Sequence, residues 1–275
     1  MSALKRIFHP TDLSAASETA FYHALRIAMS GHSGLTIMHV AGTHGSIHRD
    51  DFPSVSHTLE QWGVIQPGGG REAVDKLDMA VRKIVSHSKN PAHACEHYLQ
   101  SHAADLVVLA VHQHAGVMRW LHHAVGTPVV RNSGEKALMI PHGIKGFVNP
   151  QDGSMVLRNI LLPMTQHPHP QEAVGVLHSL LNQLGLDGGT VILLHVGNEA
   201  DVPVVHLPVD SRWQWQTQVR QGSVVDVILQ TARDTDCDLL VMPTEGRNGF
   251  LDALRGSTTE QVLQKTACPL LTVPL

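Results

Sequence analysis

The stretch LLVMPTEGRNGFLDALRGSTTEQVL, residues 239–263, runs apolar to Pro243, crosses a polar turn holding Gly246 and Gly249, and reopens as a helix after Gly256-Ser257. An apolar strand, a polar loop and a helix start make up one strand-to-helix connection of an α/β protein. Its front half has a near-copy: ADLVVLAVH (104–112) matches CDLLVMPTE (237–245). Further matches lie on either side. RIFHPTD (6–12) pairs with NILLPMT (159–165), LTIMHV (35–40) with VILLHV (191–196), and KALMIP (136–141) with PLLTVP (269–274), all in the same order. Such self-similarity marks an internal duplication.

Val40 lies 156 residues before Val196 but Asp105 only 133 before Asp238, so the first copy carries 23 extra residues. They fall within 41–80, the segment containing GTHGSIH and the flexible IQPGGG. Residues 1–144 form one domain in this reading, 145–155 a linker with local turns, and 156–275 a second domain.

Strand and helix alternate within each copy. Ala20, Phe21, Ala24, Leu25 and Ala28 recur at helical spacing until Gly31; Val174, Leu177, Leu181 and Leu184 do so between Pro170 and Gly185. Ser223-Val-Val-Asp226 reads as a capping box. RNILLP, VILLHV and DLLVMP are nearly all apolar, as parallel strands covered on both faces require. In WQWQTQVR (213–220), Trp213, Trp215, Thr217 and Val219 alternate with polar residues, which suits an edge strand. Each half is expected to be a Rossmann-like α/β unit, a parallel five-stranded sheet of order 3-2-1-4-5 flanked by helices. KALMIP and PLLTVP, each the last strand of its half, are candidates to pair across the halves, because an edge strand needs a partner or protection. A second chain can pair at other surfaces, giving a homodimer.

Composition narrows the function classes. Twenty Lys plus Arg against 24 Asp plus Glu give a net charge of -4 with no run of like charge, which argues against a nucleic-acid surface. The longest apolar runs, LVVLAV and VILLHV, are far below the roughly 20 residues that span a bilayer. MSALKRIFHPTD leads directly into a strand-like segment without the apolar region of a secretory signal, so a cytoplasmic location is expected. Cys95, Cys237 and Cys268 form no CxxC pair and are read as reduced and mostly buried.

Open parallel sheets bind ligands beyond the carboxyl ends of their strands, where the order reverses. In the second half that point brings together Pro163-Met164-Thr165 and Met242-Pro243-Thr244. Gly246 and Gly256 allow close backbone approach, and a helix opening at Ser257 offers free amides to a phosphate. Ser257 and Glu260 also form a capping box that explains the serine without a ligand.

Here the chain resembles the universal stress protein family, over nearly its whole length, as two tandem domains. The family's nucleotide signature is Gly, two residues, Gly, nine residues, then Gly followed by Ser or Thr. Gly246, residues 247–255, Gly256 and Ser257 fit it, as do the Gly-Ser-x-x-Glu helix and Cys268-Pro269, while Pro243 stands at the first glycine. The resemblance implies an adenine nucleotide alpha hydrolase-like fold and bound ATP or AMP. It places Pro163, Met164, Thr165, Val196, Met242, Pro243, Gly246, Gly249, Gly256, Ser257, Thr258 and Thr259 around the nucleotide of the second half. In the first half it points to Pro10, Thr11, Asp12 and Val40. Asp12 matches the family's ligand aspartate, and Thr165 replaces it in the second half. The loop after the first half's fourth strand has diverged, with Ala110, Gln113 and His123 at the glycine positions and Ala124 for Ser257. A three-residue gap lets Gly126-Thr127 stand in for the Gly-Ser pair.

Histidine is abundant, at 21 residues. His112, His114, His122 and His123 lie where the first half's phosphate loop would be and could hold a transition metal, or be no more than solvated side chains. His93-Ala-Cys-Glu-His97 matches a zinc-peptidase pattern but lacks an evident third ligand. His39 and His195 read as structural or site-lining, and Trp213 and Trp215 as packing residues rather than a recognition face. No GxSxG serine and no HIGH or SGGxDS string is present. The expected function is that of a non-enzymatic stress-response regulator that binds adenine nucleotide in its second domain. A nucleotide-free scaffold, a His-rich metal binder and a weak ATPase are the alternatives.

Overall fold

The computed structural model describes residues 4–42, 47–111, 135–209, 212–245 and 258–275. In the first half, strands β1 (Arg6–Thr11), β2 (Gly34–Ala41), β3 (Val81–His87), β4 (Leu106–Val111) and β5 (Lys136–Pro141) line up in the order 3-2-1-4-5. Strands β6 (Asn159–Met164), β7 (Thr190–Val196), β8 (Gln214–Arg220), β9 (Leu239–Thr244) and β10 (Leu270–Pro274) repeat that order. The two sets join into a ten-stranded sheet, β3-β2-β1-β4-β5-β10-β9-β6-β7-β8. Every neighbouring pair is parallel except β5 and β10, which run antiparallel with Leu271 opposite Leu138. Each last strand thus protects the other's edge, and β3 and β8 remain as outer edges.

The same acidic residue starts both halves. Asp105 accepts from the amides of Lys5 and Arg6 at 2.9 Å, and Asp238 from those of Arg158 and Asn159 at 2.7 and 2.9 Å. A carboxylate before the fourth strand therefore takes up amides that would otherwise be free at the start of the first.

Helices α1 (Ala15–Ser30) and α5 (Gln171–Leu184) cover one face of the sheet. Their apolar stripes, including Ala20, Phe21, Ala24, Val174, Leu177 and Leu181, are buried against Ile7, Leu35, Leu162 and Val241. Gly185 ends α5 at φ 66°, the left-handed cap that glycine adopts at least cost. On the other face, α4 (Pro91–Ser101), α6 (Val224–Asp234) and α7 (Thr258–Leu263) pack on Phe8, Met38, Val107, Leu161 and Leu240. Alternate strand residues feed opposite layers, as the two-residue period demands.

Two local expectations are revised. Ser223 precedes α6, but its exposed hydroxyl makes no capping bond, so only its carbonyl, accepting from Val227, starts the helix. Water satisfies an exposed hydroxyl as well as a helix amide does. Residues 47–80 are more ordered than IQPGGG implied: α2 (Val55–Gln61) and α3 (Gly70–Asp75) form there, and Phe52, Leu59, Trp62 and Ile65 enter the core. The segment joining the halves contains turns and also packs on the first half. Phe147 and Val148 are buried, and His23 of α1 accepts both their amides through Nε2 at 3.0 and 3.3 Å.

Candidate functional site

At the carboxyl ends of β6, β7 and β9 a cavity of about 600 Å³ opens. It lies where the strand order reverses between β6 and β9, and its volume suits a small organic ligand. Pro163, Met164 and Thr165 line it from β6, Val196 from β7, Met242 and Pro243 from β9, and Thr258 and Thr259 from α7. Every residue that the sequence assigned to the second-half site and that lies in a described segment is therefore brought together there. Gly246, Gly249, Gly256 and Ser257 lie outside the described residues, as do His112, His114, His122 and His123.

The lining also includes Thr244, which the sequence placed at the same strand end, and His167, Pro168, Leu194, His195, Val224, Ile228 and Glu245, which it did not assign to the nucleotide. His195 and Thr244 had signals, one as a candidate lining residue ending its strand, the other as the residue after Pro243. Val224 and Ile228 had none, because their place depends on how α6 lies across the sheet. The cavity has an apolar wall of Leu194, Val196, Val224 and Ile228, and polar groups at Thr165, Thr244, Thr258 and Thr259.

His195 donates from Nδ1 to the Met164 carbonyl at 3.3 Å, which ties the end of β7 to that of β6. A carbonyl only accepts, so this tautomer leaves Nε2 as a bare acceptor. That atom and the Thr244 hydroxyl are buried and have no partner among the described residues, in residues that are 7 % and 6 % exposed. Buried polar atoms without partners are rare, and two in the lining of one cavity mark it as a place where polar groups await a ligand. Among the described lining residues there is no lysine or arginine, and Glu245 is the one carboxylate. The described part of α7 spans six residues, too short for its dipole to contribute much.

The universal stress protein family model matches residues 3–141 and 213–274, nearly all of the first half and about half of the second. The chain belongs to the universal stress protein family. A universal stress protein from Archaeoglobus fulgidus DSM 4304 is similar in fold, with a TM-score of 0.62 at 15% identity over 98% of this chain and 95% of that one. A universal stress protein E homolog from Haemophilus influenzae is 40% identical over 55 residues, which is 20% of this chain. The match covers only 18% of that relative's length. A universal stress protein in complex with cAMP aligns with 40% of this chain and 74% of its own at 22% identity, with a TM-score of 0.25.

The first-half positions of this universal stress protein are arranged differently. Pro10 and Thr11 end β1, Val40 lies in β2, and His39 bonds the Thr11 carbonyl at 2.9 Å as His195 bonds Met164. The aspartate that the family pattern assigns to a ligand is already engaged. Asp12 Oδ1 accepts from the Ser14 amide at 3.0 Å, the Ser14 hydroxyl at 2.6 Å and the Ser17 hydroxyl. Burial pushes this carboxyl up, but the bonds from Ser14 and Ser17 outweigh burial and hold it below the usual range. It anchors the start of α1. Phe52 of the insertion packs edge-on against the His39 ring at 6.4 Å between centroids.

His93 and His97 stand exposed on α4, and among the described residues no group of three or more His, Cys, Asp or Glu is placed to hold a metal. Trp213 is buried and packs over Gly189, whose added Cβ would sit 2.6 Å from the indole. Among the described residues no helix is long and apolar enough to cross a membrane.

Proposed function

We propose that the second-half cavity binds an adenine nucleotide, ATP or AMP, as a regulatory ligand of a cytoplasmic, non-enzymatic stress-response protein, and that the first half serves as its scaffold. The observation that carries this reading is the cavity of about 600 Å³ at the order reversal, with the buried His195 Nε2 and Thr244 Oγ1 in its lining unpartnered among the described residues. A ligand that supplies partners for these atoms removes the cost of leaving them unsatisfied, about 1–3 kcal/mol each. The apolar wall suits a flat base, and the threonines suit a sugar and phosphate. In the first half the matching Asp12 is held by Ser14 and Ser17.

A nucleotide-free scaffold is the second reading. Pro243 has no N–H to offer a phosphate, and the Glu245 carboxylate in the lining opposes one. Calorimetric titration with ATP and AMP decides between the two readings, with Val224→Trp as the control. Val224 lines the cavity and is 45% exposed, so a larger side chain can enter the cavity from the surface without disturbing the core. Binding by the native chain that is lost in Val224→Trp supports the nucleotide reading. No heat at millimolar nucleotide rejects it.

A further inference from the structure

Two of the three cysteines meet at the opposite end of the sheet from the cavity. Cys237 ends the turn between α6 and β9, and Cys268 ends the turn between α7 and β10. Strands β9 and β10 pair in parallel with Leu240 opposite Leu270, and the Leu240 amide donates to the Pro269 carbonyl at 2.9 Å. Carried back two residues, that register sets Cys268 beside Asp238, one residue from Cys237. One strand spacing and one residue of rise put the two backbones about 6 Å apart. That lies within the roughly 4.4–6.8 Å that a disulfide bridges.

The side chains use this proximity. The Cys237 thiol donates to the Leu239 carbonyl at 3.2 Å, and the two sulfurs lie near enough for each to shift the titration of the other. The Cys268 sulfur lies 3.3 Å from the Thr266 hydroxyl. Cys237 is half-buried and Cys268 buried, so a small oxidant would reach the pair from the Cys237 side. The matching first-half positions are Ala104 and Glu135, so the pair belongs to the second half alone.

We propose that Cys237 and Cys268 are a peroxide-reactive dithiol that closes to an intramolecular disulfide, a modification site separate from the cavity. The Cys268 thiolate attacks a peroxide oxygen, the O–O bond breaks, and the departing hydroxide takes up a proton to leave as water. Cys268 is then a sulfenic acid. The Cys237 thiol gives up its proton and its sulfur attacks that of Cys268; the S–O bond breaks, and the leaving hydroxide departs as a second water. Two thiols lose two electrons and one peroxide is reduced to two waters.

The roles follow from the contact. The interaction between the neighbouring sulfurs holds the Cys268 thiol below its ordinary range and raises the Cys237 thiol above it. Cys95 provides an internal contrast, since burial pushes its thiol up to about 12.

The full-length chain is treated with excess hydrogen peroxide, denatured, and its free thiols counted. They are expected to fall from the three of the sequence to Cys95 alone, with a mass loss of about 2 Da. Trypsin separates the cysteines, and the expected cross-link joins residues 234–247 to 266–275. Three intact thiols, separate over-oxidised peptides, or a link between chains would each overturn the proposal. Cys237→Ser removes the second sulfur and should leave a sulfenic acid on Cys268 that dimedone traps. If dimedone instead labels Cys237 in Cys268→Ser and leaves Cys268 unlabelled in Cys237→Ser, the assignment of attacking sulfur is wrong.

Discussion

Burial pushes the imidazoles of His9 and His23 down to about 4, so both enter the fold neutral. Each is fully buried, with Nδ1 bonded at 2.8 Å to the carbonyl of Val108 or Thr19. In the unfolded chain a histidine takes up its proton near pH 6.5, whereas these two resist it until about pH 4. Stability is therefore unaffected by them above pH 6.5 and is lost as pH falls from 6.5 to 4. The unfolded state binds more protons throughout that window, at a cost of about 1.4 kcal/mol per pH unit for each histidine. The second half carries Leu162 at the position of His9, in the same place on its first strand. His9→Leu is expected to change stability little at pH 7 and to remove about half of this acid loss. Urea midpoints for both proteins at pH 7, 6 and 5 test it; equal slopes would show that His9 does not titrate on unfolding.

The insertion between β2 and β3 and the segment joining the halves hold each other in place. Trp62, just after α2, donates from Nε1 to the Pro150 carbonyl at 3.0 Å and packs against Gly153. Gly153 sits at φ 69°, and an added Cβ would come within 2.5 Å of the indole. Gly63 has the same φ with nothing within 4 Å, so the two glycines separate strain from contact. Gly63→Ala should cost about 1–2 kcal/mol for the left-handed backbone alone. Gly153→Ala should cost that plus about 1–3 kcal/mol for moving the indole. Thermal unfolding of the two variants measures the difference, and equal losses would mean that Trp62 yields without cost. The strands and the large helices were legible in the sequence, because long apolar runs and stripes such as Val174, Leu177 and Leu181 repeat in two copies. Helices α2 and α3 were not legible: they are too short to show a stripe, and Trp62 finds its partner in a distant segment. The cavity's strand-end residues followed from the strand order, whereas Ile228 and Val224 depend on the tertiary placement of α6. The exposed Ser223 shows the reverse case, a local motif that the fold leaves unused.

At the scale of the molecule, the duplicated halves share what holds them. The apolar layer under α1 and α5 and the layer under α4, α6 and α7 each draw residues from both halves, and both continue across the β5–β10 junction. A polar tie crosses as well: Gln183 of α5 accepts the Leu4 amide at 2.8 Å and donates to the Leu4 carbonyl at 3.2 Å. Unfolding one half would expose the inner edge of the other and strip one side from both layers. That penalty couples the halves, so the chain is expected to unfold in one transition despite its duplicated plan. Trp62→Phe combined with Trp120→Phe leaves Trp213 and Trp215, both in the second half, as the fluorescence reporters. Their urea transition should superimpose on that of the far-ultraviolet circular dichroism of the whole chain. Two separated midpoints, with the tryptophans following only one, would show that the antiparallel junction joins the halves in space without joining them in stability.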